Sequence, residues 1–322
     1  MEVVKLERLN PLEYEHPLDK KGLDTLQKTP GLDFIVKKFY ELGLEKLIKL
    51  QFVGSNLKIT PSSLPDVYEV LEDACETLYL KITPEFYVRH DNYTTETQAV
   101  TNNLQGITTG VDHPLIAISA ECIDIFSKKE LLFIVGSEIG RIKSRHILYK
   151  EIASLLPMVS TILGGVTLGV NFTEPVVQGL SVALLQWYRW SEFTADRAGL
   201  LACQDLTSVM RAMAKISGLP RKYFDSFDID DFVTQSREYE GFADTSYTKL
   251  LKVFSLAFKN QAFTISRANE LLKWVDSGGY QAVLERKTRI EPALPPSFCR
   301  HCGSDFKTSD TFCSNCGKRV SD

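Results

Sequence analysis

The C-terminal end of the chain carries two C-x-x-C pairs, and their spacing constrains the local fold more than any other feature. The cysteines of these pairs are Cys299, Cys302, Cys313 and Cys316. Four thiolates at this spacing can close a tetrahedral zinc shell, and a glycine after each pair lets the backbone turn sharply toward the metal. So short a segment has almost no core and needs the metal to fold. The sequence therefore predicts a structural zinc ribbon at 298–322.

The redox environment decides between zinc and disulfides in this tail. The N-terminal text MEVVKLERLNPLEYEHP lacks the basic and then apolar pattern of a secretory signal, so we expect a cytoplasmic chain with reduced thiols. Two disulfides, or a redox pair, are the alternative interpretation. The other three cysteines lie among apolar residues, and we expect them to fill core space. They are Cys75, Cys122 and Cys203.

Composition predicts a globular chain with a sizeable core. Of 322 residues, 44% are hydrophobic and 24% are charged. The net charge of −4, without a basic stripe, argues against nucleic acid as a partner. The proline-rich text TRIEPALPPS at 288–297 predicts a stiff linker. We therefore divide the chain into an N-terminal helical segment (1–60), a main domain (61–287), the linker and the ribbon.

Hydrophobic periodicity predicts helices on both sides of a short β-rich region. Predicted helices are 31–50, 62–80 with a serine cap, most of 119–217, 246–259 and 264–277. Predicted strands are 85–90, 105–110 and 114–119. The stretch 221–245 has weak periodicity and is predicted to be an irregular loop.

The helix at 131–150, LLFIVGSEIGRIKSRHILYK, has the pattern of a zinc-peptidase helix without its histidines. Such a helix presents two histidines at i and i+4 on one face, and a glutamate after the first serves as the base. Glu138 stands at the base position, whereas Ser137 and Arg141 stand where the histidines belong. In a later helix, Glu192 and Asp196 lie one turn apart on one face.

These stretches resemble the M48 family of zinc metallopeptidases, which includes HtpX and the CAAX prenyl proteases. The resemblance covers roughly 61–287 and rests on SEIGRIKSRH and EFTADRAG, with further similar text before and after them. It implies an α+β fold, a mainly helical gluzincin-like domain with a small sheet. It also implies that Glu192 stands at the position of the third zinc ligand.

The departure from the family pattern predicts that no catalytic zinc is bound. None of the five histidines lies four residues from another. His146 follows Ser137 by nine residues, and at about 100° per residue it lies on the opposite helix face. We expect the Arg141 guanidinium to form salt bridges with Glu192 and Glu138, which would otherwise be uncompensated buried charges. Alternatively, Arg141 is a surface residue of an ordinary helix.

A largely uncharged stretch at 152–190 leaves two interpretations open. Its first part is about long enough to span a bilayer. It also contains proline, glycine, serine and threonine, so a buried helical pair inside a soluble domain is the alternative. Trp187 and its aromatic neighbours suit either a membrane interface or a core helix.

The sequence as a whole predicts a catalytically degenerate peptidase domain, a pseudopeptidase, that binds a protein partner or serves as a scaffold in a larger assembly. The alternative function is an active metal-dependent endopeptidase with an unconventional site, working at a membrane or with ligands supplied by a partner. The expected cofactor is structural zinc in the ribbon. The expected location is cytoplasmic, and membrane association through 152–190 is the alternative.

Overall fold

The predicted α+β class is confirmed by the structure, in which helices surround one small sheet. The structure is a computed structural model that describes residues 3–29, 31–89, 104–154, 174–239 and 263–287. The predicted helix 246–259 and the four ribbon cysteines lie outside these ranges, as does most of the uncharged run before 174.

Helices form most of the described chain. In chain order they are α1 (Pro17–Gln27), α2 (Leu32–Glu41), α3 (Leu44–Ser55), α4 (Pro65–Thr77), α5 (Ala120–Ile125), α6 (Lys128–Lys143), α7 (147–154 as described), α8 (Glu174–Cys203), α9 (Leu206–Ile216), α10 (Ile229–Glu238), α11 (Thr264–Asp276) and α12 (Gly279–Leu284). The chain also forms two 3₁₀ turns, Pro11–Glu13 before α1 and Arg221–Tyr223 between α9 and α10.

The sheet contains four strands in the order β1-β2-β4-β3. They are β1 (Leu57–Ile59), β2 (Glu85–Arg89), β3 (Gly106–Thr109) and β4 (Leu115–Ser119). β2 and β4 pair in parallel and the other pairs are antiparallel. Every residue of β4 is buried, which matches its continuous apolar sequence. β3 forms the edge of the sheet that approaches α6.

Helices α6 and α8 pack unusually closely because small residues line their contact. A Cβ at Gly136 would lie 2.3 Å from the Cβ of Ala202, and one at Gly140 would lie 2.4 Å from the Cβ of Ala198. On the α8 side, a Cβ at Gly199 would meet the Ser137 hydroxyl at 2.3 Å. These contacts fix how the side chains of one helix face those of the other.

The N-terminal segment is tied to α8 by a buried polar network around Asp19 of α1. Its carboxylate accepts hydrogen bonds from Trp187 Nε1 at 3.0 Å and Thr194 Oγ1 at 2.5 Å. His146 Nε2 lies 3.0 Å from the same carboxylate. Burial raises the pKa of Asp19, but these partners, led by His146, outweigh it and hold the pKa below its ordinary value. Trp187 is therefore a core residue.

The predicted single helix at 31–50 is wrong, because the chain breaks it into α2 and α3. Gly43 between them adopts φ +64°, a conformation that favours glycine. The predicted serine cap of the next helix is also wrong. Leu64 is the N-cap of α4 and provides no side-chain bond, while Ser63 exchanges hydrogen bonds with Thr60.

The predicted loop at 221–245 is wrong over Ile229–Glu238, where α10 forms. The Asp228 side chain accepts a hydrogen bond from the Asp230 backbone and caps the helix, while Phe232 is buried. Strand β1 was not predicted, whereas the other three strands and the helix at 264–277 are confirmed. The three cysteines expected in the core are buried.

Substituting Gly140 with alanine tests the close contact of α6 and α8. We expect Gly140→Ala to lower the free energy of unfolding by about 1–3 kcal/mol, because the added methyl overlaps Ala198. Gly179→Ala in α8 is the matched control. A Cβ there meets nothing within 4 Å, so the variant should be neutral or stabilised by up to about 1 kcal/mol. Urea denaturation measures the free energy of unfolding of both variants. Equal changes in the two variants would contradict the close contact of α6 and α8.

Candidate functional site

A cavity of about 130 Å³ lies where α6, α7, α8, β3 and α11 meet. Its charged and hydroxyl lining residues are Ser137, Glu138, Arg141, Lys150, Tyr188, Glu192, Thr264 and Arg267. The structure thus brings together four of the five predicted site residues of the peptidase-like domain. The fifth, Asp196, lies one turn beyond Glu192 and joins the cluster through Arg267.

The Ser137 hydroxyl is engaged by its own helix. Its Oγ donates a hydrogen bond to the Phe133 carbonyl oxygen at 2.8 Å, four residues earlier. The side chain is buried against Gly199 of α8. This serine therefore fills a tight helix contact and does not point a free oxygen into the cavity.

Glu138 is held by contacts at both carboxylate oxygens. Thr108 Oγ1 on β3 donates to Oε2 at 2.6 Å, and Arg141 Nε donates to Oε1 at 3.3 Å. A Cβ at Gly106 would lie 2.5 Å from the Glu138 Cγ, so the edge strand packs directly on this side chain. The residue is buried.

Arg141 points inward and bridges two carboxylates, as the sequence predicted. Its Nη2 donates a hydrogen bond to Glu192 Oε2 at 2.9 Å, and its Nε donates one to Glu138 Oε1. Only 5% of the residue is exposed, so it is not a surface arginine. Burial lowers the pKa of Arg141, but Glu192 and Glu138 outweigh it and the net shift is upward.

Glu192 is a fully charged carboxylate at the centre of the cluster. Burial raises its pKa, but the guanidinium groups of Arg141 and Arg267 outweigh this effect and lower the pKa to about 2. The Arg267 Nη1 lies 3.5 Å from Glu192 Oε2, which is the oxygen that Arg141 also contacts. Glu192 therefore stays ionised because two cations surround it.

Asp196 forms a bidentate pair with Arg267 from α11. Nε of the arginine donates to Oδ2 at 2.8 Å, and Nη2 donates to Oδ1 at 2.5 Å. This fork geometry is characteristic of arginine with a carboxylate. The pair attaches α11 to α8 and leaves the Asp196 oxygens engaged away from the cavity.

Lys150 of α7 is the third cation of the cluster. Burial lowers its pKa, and the neighbouring Glu138 offsets part of that effect. Three basic side chains (Arg141, Lys150 and Arg267) thus stand against three carboxylates (Glu138, Glu192 and Asp196). Their formal charges balance without any metal ion.

The sequence did not identify Thr108, Lys150 or Arg267 as partners of these carboxylates. Arg267 lies in the stretch that resembles the end of the family domain. Its positive charge there could have indicated a partner for a buried carboxylate. Thr108 and Lys150 carry no local signal, since their positions depend on how β3 and α7 pack against α6.

Comparison with known proteins identifies the family of the chain. The sequence pattern of peptidase family M48 matches residues 71–287. The chain belongs to peptidase family M48. One similar curated protein is the plastoglobule-localized metallopeptidase 48, chloroplastic, of Arabidopsis thaliana. It is 26% identical over 277 residues, which cover 86% of this chain and 76% of the relative. No solved structure matches the chain.

The residues of this M48 site do not fit a catalytic zinc. Among the described residues, no imidazole lines the cavity, and His146 is bonded to Asp19 instead. Within the described ranges, no group of three or more His, Cys, Asp or Glu side chains could hold a metal ion. A guanidinium also lies between Glu138 and Glu192, where its positive charge would repel a metal.

The described helices do not include a membrane span. Over the ranges that the structure covers, none is long and apolar enough to cross a bilayer.

Removing the Arg141 charge tests whether it compensates the buried carboxylates. We expect Arg141→Met to lower the free energy of unfolding by about 3–5 kcal/mol, because Glu192 loses its closest cation. Adding Glu192→Gln should recover part of this loss. Arg237→Met is the control, since Arg237 pairs with Asp276 on the exposed surface and should cost less than about 1 kcal/mol. Similar losses for the two arginine variants in urea denaturation would contradict the account.

The acid dependence of stability tests the charge state of Glu192. Its folded pKa of about 2 lies below the ordinary value of 4.5, so its stabilisation is present above pH 4.5 and is lost as the pH falls toward 2. Relative to Glu192→Gln, the wild type should lose about 3 kcal/mol of unfolding free energy over this range. Chemical denaturation at several pH values measures the free energy of unfolding of both proteins. If it changes with pH equally in the wild type and in Glu192→Gln, the charge state assigned to Glu192 is wrong.

Proposed function

We propose that this chain is a catalytically inactive member of peptidase family M48, a pseudopeptidase that works as a protein-binding or scaffold component. The observation that carries the proposal is the Arg141 guanidinium, which donates to Glu138 and to Glu192 inside the site. An arginine in that position supplies the positive charge that the two carboxylates need. Because Arg141 engages both side chains, Glu138 does not serve as a base and Glu192 does not serve as a metal ligand.

The contacts of Glu138 support the loss of hydrolysis. A general base must accept a proton from a water molecule within hydrogen-bond reach. Both Glu138 oxygens already accept hydrogen bonds, from Thr108 and Arg141. The Ser137 hydroxyl donates to its own helix and does not replace the missing ligand. These contacts favour a structural role for the former catalytic cluster.

The binding role is proposed from the C-terminal tail. Four cysteines in two C-x-x-C pairs would hold zinc as a closed structural site, which is typical of interaction modules. The Pro-rich segment 288–297 would separate this ribbon from the peptidase-like domain. We propose that the ribbon engages a protein partner in a larger assembly.

The proposed location is cytoplasmic, with contact to a membrane or lipid surface. The relative's name places that protein at plastoglobules, which are membrane-associated lipid bodies. In the largely uncharged stretch 152–190, residues other than buried ones such as Leu180, Leu184 and Trp187 would supply apolar contact area in this chain.

An active metal-dependent endopeptidase is the second candidate function. The relative is named a metallopeptidase, and this chain keeps Glu138 and Glu192. Activity would then need metal ligands from outside the described site, supplied by a partner or by another part of the chain.

A peptidase assay separates the two candidates. We expect the full chain with added zinc to cleave an unfolded protein substrate no faster than the blank, since Arg141 holds both carboxylates. Glu138→Gln should therefore change nothing. Glu285→Gln, at an exposed carboxylate that does not line the cavity, controls for a contaminating protease. Cleavage by the wild type that disappears in Glu138→Gln and persists in Glu285→Gln would establish the active enzyme instead.

A further inference from the structure

Helix α3 exposes apolar residues on the side that faces away from the protein. The large apolar residues that are exposed between 42 and 57 are Leu42, Leu47, Leu50, Val53 and Leu57. Leu50 has 72% of its surface exposed. A surface helix ordinarily turns charged and polar residues outward, so this concentration is unusual.

The inner side of α3 is already occupied, which fixes the orientation of the helix. Leu44 is buried in the cluster formed by α2, α7 and α8. The Phe52 ring packs edge-on against Tyr87 of β2 with centroids 5.5 Å apart. Leu47, Leu50 and Val53 follow one another at three-residue spacing on the opposite side. We call these three residues, with Lys46 and Lys49, the outer face of α3.

The basic residues of this outer face are Lys46 and Lys49. Lys46 is exposed, and no partner for its ammonium group occurs among the described residues. Lys49 lies 3.7 Å from Glu85 on the neighbouring strand. Glu45, the acidic residue of α3, turns inward, where its Oε1 accepts hydrogen bonds from the backbone nitrogens of Val111 and Asp112. An apolar stripe flanked by lysines is therefore what α3 presents to solvent.

We propose that the outer face of α3 docks on a lipid surface that carries anionic headgroups. Leucine and valine side chains would enter the boundary between headgroups and acyl chains, and the lysines would extend to the phosphates. Electrostatic attraction of basic residues to anionic lipid adds to the binding by apolar area. The inference is independent of the catalytic state of the cavity.

Vesicle flotation of the full chain tests the docking surface. The probes are vesicles of phosphatidylcholine alone and of phosphatidylcholine mixed with phosphatidylglycerol. We expect binding to the mixed vesicles, and a reduction of roughly tenfold for Leu50→Glu. Lys46→Glu should reduce binding roughly fivefold or more. Leu12→Glu, an exposed apolar position outside α3, should bind like the wild type. Circular dichroism and melting temperature verify that all variants fold.

Four outcomes would overturn the proposal. The first is absence of wild-type binding to either kind of vesicle, and the second is binding that Leu50→Glu leaves unchanged. The third is equal binding to neutral and anionic vesicles, which would reject the anionic lipid. The fourth is a wild-type dimer that Leu50→Glu converts to a monomer, which would assign the outer face to contact between two copies of the chain.

Discussion

The buried ion pair between Arg141 and Glu192 is the interaction on which the site depends. Carboxylates in a closed cavity are costly unless a cation accompanies them. The guanidinium lies 2.9 Å from Glu192 and also donates to Glu138, so one side chain compensates two acids. A second arginine, Arg267, does the same for Asp196 and contacts Glu192. With Lys150 as the third cation, the formal charges of the cluster balance through side chains alone.

The packing of α6, α8 and β3 fixes the positions of these charged side chains. Gly136 and Gly140 bring α6 against α8, which sets the separation between Arg141 and Glu192. Edge strand β3 supplies Thr108 to Glu138 from the other side. These helices hold a salt-bridge cluster. On our proposal Ser137 and Arg141, at the positions where the family resemblance implies histidines, decide what the scaffold contains.

Local sequence patterns predicted the features that depend on neighbours along the chain. Strands β2, β3 and β4 and the shared face of Glu192 and Asp196 follow from periodicity. The contact of Arg141 with Glu192 joins distant parts of the chain and was expected from the family resemblance. The break at Gly43 depends on one left-handed residue, and periodicity does not register it. The contacts of Thr108, Lys150 and Asp19 join distant parts of the chain, so no local pattern indicates them.

The most direct test of the central claim is the metal content of the full chain in which all four ribbon cysteines are replaced by serine. Elemental analysis after exposure to zinc counts any metal bound elsewhere. Because Arg141, Lys150 and Arg267 already balance the charges of Glu138, Glu192 and Asp196, the account predicts no stoichiometric metal in this variant. One zinc per chain that is lost on adding Glu192→Gln would contradict it, and the site would then be a metal centre after all.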